Sequence, residues 1–121
     1  MSDAQPEPID WSVLNGLREY QVEGEPDLVQ ELVEMYQTEA PTLLSALREA
    51  VANGDAEKLR HTAHTLKGTS NNLGVKQVAV LSAELEKKGR SGSVAGAAEV
   101  LAQLEQEYER ACQALDAKRE R

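Results

Sequence analysis

Between Val94 and Leu115 the apolar residues recur at alternating intervals of three and four: Val94, Ala97, Leu101, Leu104, Tyr108, Ala111 and Leu115. A strand repeats every two residues and cannot put these on one face, whereas an α-helix gathers them into a stripe suited to near-antiparallel packing. Helical spacing recurs upstream, and strand-like alternation is found nowhere in the chain. A short first helix is expected from Asp10, its N-cap, to about Tyr20, with Trp11, Leu14 and Leu17 in register. A long second helix is expected from Pro26 to Ala52, with its stripe at Leu28, Leu32, Met35, Leu43, Leu47 and Val51. Pro41 lies inside it and implies a kink or two abutting helices. The third runs from Ala56, capped by Asp55, to Leu73, where Gly74 stops it. The fourth, Val75 to Lys88, carries Val75, Val78, Leu81 and Leu85 and ends in the turn sequence GRSGS. The expected fold is all-α: an up-down antiparallel four-helix bundle with a short additional N-terminal helix capping it. Residues 1–9 read as a flexible tail and 10–121 as one domain.

Composition narrows the function. The net charge of −8 opposes broad binding to nucleic acid, whose phosphates need a basic surface, and opposes attachment to anionic membranes. No apolar run is long enough to span a bilayer, and the N-terminus has no signal-peptide core. The single cysteine, Cys112, excludes an internal disulfide, suits a reducing cytoplasm and reads as a small core residue. A monomer is expected. The Met1 start and charged C-terminus favour a stand-alone protein.

The third helix carries the chemistry, in AHTLKGTSNNLG (residues 63–74). Advancing about 100° per residue, with Leu66 at zero, Leu59, Thr62, Ala63, Thr69, Ser70 and Leu73 fall within about 60° of it, on the core side. His64 falls at about 160°, Lys67 at 100°, Asn71 at 140° and Gly68 at 200°, toward solvent. A neutral imidazole nitrogen is a nucleophile able to accept a phosphoryl or acyl group. Lys67, at i+3, can meet the charge of a phosphoryl group on His64. Gly68, at i+4, leaves bare backbone beside the ring for a macromolecule to approach, although glycine costs the helix about 1 kcal/mol relative to alanine.

His64-Thr65-Leu66-Lys67-Gly68 followed by Leu73-Gly74 resembles the signature of histidine-containing phosphotransfer (HPt) domains, the carriers of multistep phosphorelays. The likeness extends to EAPTLLSALREAVANGD before the motif and SAELEKKGR after it. The resemblance implies that His64 accepts a phosphoryl group from a receiver-domain aspartate and passes it to a response-regulator aspartate. It implies Lys67 as charge partner, Gly68 for access and Gly74 as the glycine closing the motif; Gly74, Asn71 on the same solvent face as His64, and Glu86 are the binding candidates. Some members place a glutamine where this chain has Glu86. A carboxylate can only accept hydrogen bonds, so Glu86 either orients the imidazole or is a solvated surface residue. The implied partners are receiver domains and a hybrid sensor histidine kinase. No cofactor is expected on this chain, because Mg²⁺ would sit in the receiver. The chain is then a phosphocarrier rather than an enzyme. The alternatives are a phosphoacceptor domain excised from a chemotaxis-type kinase, or a receiver-binding adaptor that accepts no phosphate.

Competing motifs are weaker. Glu57, His61 and His64 form an i, i+4, i+7 stripe, but it faces outward, whereas bundle metal sites collect ligands inward from several helices. No metal is expected. KGTS lacks the glycine spacing and preceding strand of a phosphate loop. His61 shares the polar side without a following Lys-Gly and reads as a surface residue.

Overall fold

A computed structural model describes residues 7–119 and gives five α-helices: α1 (Trp11–Leu17), α2 (Leu28–Asn53), α3 (Ala56–Asn72), α4 (Lys76–Arg90) and α5 (Ala97–Arg119). A single 3-10 turn, Arg18–Tyr20, follows α1. Three aspartates start helices by accepting backbone N–H groups left orphaned in the first turn: Asp10 from Ser12, Asp27 from Gln30 and Asp55 from Lys58. Asp27 therefore displaces Pro26 as the start signal of α2. Gly54, at φ 66°, ends α2 in the left-handed region.

Helices α2 to α5 pack on their chain neighbours and α5 closes back on α2, which gives the four-helix ring. Its core holds Leu47, Leu59, Leu66, Val75, Val78, Leu85 and Leu104 at 0 % exposure. The α3, α4 and α5 stripes are those the periodicity predicts, with Val94, Tyr108 and Thr69 at the half-buried margin.

The α2 stripe is displaced. The buried residues are Val29, Val33, Tyr36, Ala40, Leu44, Leu47 and Ala50, while Met35 is 56 % exposed. Two apolar stripes one residue apart compete on this helix. The one with alanines allows close approach and lets the Tyr36 hydroxyl meet Ser70 Oγ at 2.8 Å, so the core takes that one. α2 runs unbroken through Pro41 rather than splitting, and Pro41 is exposed, so the carbonyl its ring leaves unbonded can face water.

α1 lies across one end of the bundle. The Asp10 N–H donates to Gly74 O at 2.7 Å, and Trp11 lies under the Lys118 ammonium, 5.3 Å from the ring centre. Ile9, placed by the sequence at the end of the tail, is 1 % exposed and belongs to the core. Residues 1–6 of that tail lie outside the described residues.

α3 and α4 are the most intimate pair, and Gly89 explains why. It is helical and buried, not part of a turn as GRSGS suggests, and α4 continues to Arg90. A Cβ at Gly89 would lie 2.6 Å from both Ala56 O and Arg60 N. The missing side chain lets the two helices touch backbone to backbone there, which sets how deeply α4 lies beneath the outer face of α3.

Candidate functional site

That close crossing brings Glu86 of α4 under the polar face of α3. Glu86 is 3 % exposed, so it is not the solvated surface residue considered above. A buried carboxylate needs partners, and this one has three. Its Oε1 accepts from Lys67 Nζ at 2.7 Å, and its Oε2 from His64 Nδ1 at 2.8 Å and Arg90 at 2.9 Å. The Lys67 hydrogen bond, opposed by desolvation and aided by His64, holds the Glu86 carboxyl below the usual glutamate range, so it is ionised at neutral pH.

An ionised carboxylate is an acceptor only. Nδ1 of His64 must therefore carry the proton, and in the neutral ring Nε2 keeps its lone pair. The His64 side chain is 64 % exposed, so this nitrogen belongs to a ring open to solvent yet anchored from below. Two permanent cations, Lys67 and Arg90, face one carboxylate. The cluster thus has a surplus positive charge before the imidazole is counted, which answers the repulsion a carboxylate would exert on a phosphoryl group.

Gly68 lies one turn beyond His64, and a Cβ built there meets nothing within 4 Å. It has no packing role in this fold. Lys67 is engaged with Glu86 rather than free, and two of its three N–H donors are left for an incoming anion. Asn71 is exposed two turns along the face from His64, and its carbonyl accepts the Gly74 N–H at 3.1 Å.

Gly74 is not brought to the site. It is buried at φ 75°, and a Cβ would lie 2.6 Å from Asp10 O, so it serves the α3–α4 turn and the seating of α1 rather than binding. His61 is exposed, near Glu57, which pairs with Arg60. Among the described residues no three His, Cys, Asp or Glu side chains are gathered closely enough to hold a metal ion. Arg90 lies outside the sequence motif, although Glu86 and Arg90 at i, i+4 on one helix form a readable pair. What the sequence could not show is that α3 overlies them.

The site is an exposed histidine fixed by a buried, cation-balanced carboxylate on the surface of a four-helix bundle. The sequence profile of the Hpt domain family matches residues 31–114, and the chain belongs to that family. It is similar in structure to histidine-containing phosphotransfer protein B of Pseudomonas aeruginosa PAO1, at 30% identity over 96% of this chain and 97% of that one, with a TM-score of 0.86. It also shares its fold, at 18% identity, 96% and 97% coverage and a TM-score of 0.86, with the histidine phosphotransfer signaling protein Ypd1 of Saccharomyces cerevisiae. That protein was crystallised with the receiver domain of its downstream response regulator Ssk1. No curated protein matches the chain. As a member of the family it has a phosphotransfer role, and none of its described helices is long and apolar enough to cross a membrane.

Proposed function

We propose that His64 Nε2 takes a phosphoryl group from the aspartate of one receiver domain and passes it to the aspartate of a response regulator. In the first step the Nε2 lone pair forms the N–P bond as the P–O bond of the aspartyl phosphate breaks. The leaving electron pair goes to the aspartate carboxylate, and no proton need move, because Nδ1 already holds its hydrogen. The ring becomes a phosphorylated imidazolium whose charge is balanced by Glu86 at 2.8 Å. The reverse sequence delivers the group to the second aspartate.

The observation that carries this reading is the His64–Glu86 contact, which selects one tautomer and leaves one nitrogen reactive. Lys67, aided by the His64 hydrogen bond, holds Glu86 ionised, and Lys67 and Arg90 supply charge for the phosphoryl oxygens. Gly68 gives the receiver clearance. The receiver contributes the acidic residue and Mg²⁺, a hybrid sensor kinase feeds the first receiver, and the chain acts as a cytoplasmic monomer. The receiver-bound yeast relative supports receivers as the partner class.

The test is transfer from a phosphorylated receiver with Mg²⁺, followed by mapping of the label. We expect one acid-labile, base-stable phosphoryl group on His64. His64→Gln abolishes it with little change in melting temperature, since surface substitutions usually move stability by less than about 0.5 kcal/mol, and His61→Gln retains it. Rapid labelling by ATP without another protein, or equal loss in both variants, contradicts the reading.

A further inference from the structure

Charge in this chain is divided between its two halves. Residues 56–90, which make up α3, α4 and their turn, hold seven Lys and Arg against three Asp and Glu, a net +4. The rest of the chain holds six against eighteen, a net −12. Lys58 is paired with Glu49 of α2, so the overall −8 conceals a smaller basic surplus on the α3–α4 surface of an acidic body. Of the three acidic residues, Glu86 is buried among cations and Glu57 is paired with Arg60, which leaves Glu84 at the outer margin.

Lys67 and Arg90 meet Glu86 beside His64, and further cations run along α4. At about 100° per residue, Lys76, Val80, Ala83, Lys87 and Arg90 lie within about 120° of Glu86 on one side of α4. Val78, Leu81, Ser82, Leu85 and Gly89 lie on the other side and are buried. The first set therefore forms the outer surface of α4, continuous with His64, Gly68 and Asn71 on α3. Arg60 and Lys67 add their charge from α3. Inside this frame lies apolar ground: Val80 is 55 % exposed, with Ala83 one turn away. Lys76, Val80 and Lys87 have no part in holding Glu86.

We propose that this face selects, among receiver-class partners, those whose reacting carboxylate is ringed by acidic side chains, and that the selection is electrostatic and made during encounter. The inference rests on the phosphotransfer reading and adds the partner's surface chemistry. An acidic rim is attracted by the α3–α4 face and repelled by the remaining surface, so the field orients the partner onto His64 as it approaches. Val80 and Ala83 give a macromolecule dry contact that a free anion would not use. The acidic body and the lack of an aromatic residue on the face disfavour nucleic acid.

The experiment measures second-order transfer rate constants from phosphorylated receiver domains, chosen with acidic and with basic rims, against ionic strength. Lys76→Gln/Lys87→Gln is compared with Gln103→Glu/Gln113→Glu, which changes net charge equally on exposed positions of α5. Wild type should prefer acidic-rimmed receivers, with a rate that falls as salt screens beyond the Debye length of about 10 Å at 0.1 M. The lysine pair should lose roughly tenfold at low salt and converge with wild type at high salt, while the α5 pair holds its rate. Thermal midpoints show that both are folded. Equal losses in the two pairs, a rate insensitive to salt, indifference to rim charge, or competition by a short DNA duplex overturns the inference and leaves the phosphotransfer reading intact. If phosphoramidate labels wild-type His64 but no receiver donates to it, the receiver reading itself falls and the inference with it.

Discussion

Glu86 carries more of the site than any residue except His64. Because its carboxyl is held below the ordinary glutamate value near 4.5, the stability it contributes is present above that value and is lost as pH falls through the lower, folded-state one. Glu86→Gln removes this titration, so the acid limb of its melting temperature against pH should be shallower than that of wild type. Parallel limbs would mean that the carboxylate is not held as described. The amide oxygen introduced by that substitution could still accept from Nδ1, but without charge. A charge-assisted hydrogen bond exceeds a neutral one by about 1 kcal/mol, so the equilibrium for transfer onto His64 should shift back toward the receiver by roughly fivefold. Phosphoryl partitioning between the two proteins at equilibrium measures it. The helical phase of α3 is enough to expose His64 and Gly68, and the motif is enough to name Lys67. Neither reveals a contact between helices, and so Glu86 and Arg90 gain their meaning only when α4 is placed beneath α3.

At the level of the helices, two glycines on the α3–α4 pair sit in opposite surroundings. Gly68 has open space where a Cβ would go, whereas Gly89 has Ala56 O and Arg60 N at 2.6 Å. Gly68→Gln should hold or raise stability, by up to about 1 kcal/mol from helix propensity and read as the thermal midpoint, yet slow transfer steeply by filling the gap beside His64. Gly68→Ala should lose less transfer. Gly89→Ala should force the helices apart at a cost of about 1–3 kcal/mol, seen as an earlier melt. A Gly68→Gln protein that melts early and transfers normally would show that this glycine serves packing. A Gly89→Ala protein as stable as wild type would show that the crossing is looser than described. Periodicity places the helices α3 to α5 to within a few residues because each has one apolar stripe. It fails on α2, where leucines at 28, 32 and 43 compete with the stripe through Val29, Val33 and Leu44. Gly89 reads as a turn in the sequence because its neighbours Arg90, Ser91 and Gly92 look like one. Only the packing of two backbones distinguishes a contact glycine from a turn glycine.

Across the whole molecule, the bundle anchors Nδ1 of His64 on Glu86 while leaving the ring largely open to solvent. The α1 cap, the Gly74 turn and the Gly89 crossing fix α4 against α3. α4 then carries Glu86 to Nδ1, and the transfer proposed at Nε2 rests on that contact. The bundle and its exposed histidine are legible in the spacing of apolar residues. The seating of Ile9 and the burial of Gly74 are not, since both depend on the N-terminal segment folding over the end of the bundle. The most direct measurement is nitrogen NMR of the ¹⁵N-labelled histidine rings before and after phosphorylation by a receiver. The phosphoryl group should sit on Nε2 of His64 while Nδ1 retains its hydrogen. A phosphoryl group on Nδ1 of His64, or on either nitrogen of His61, would contradict it.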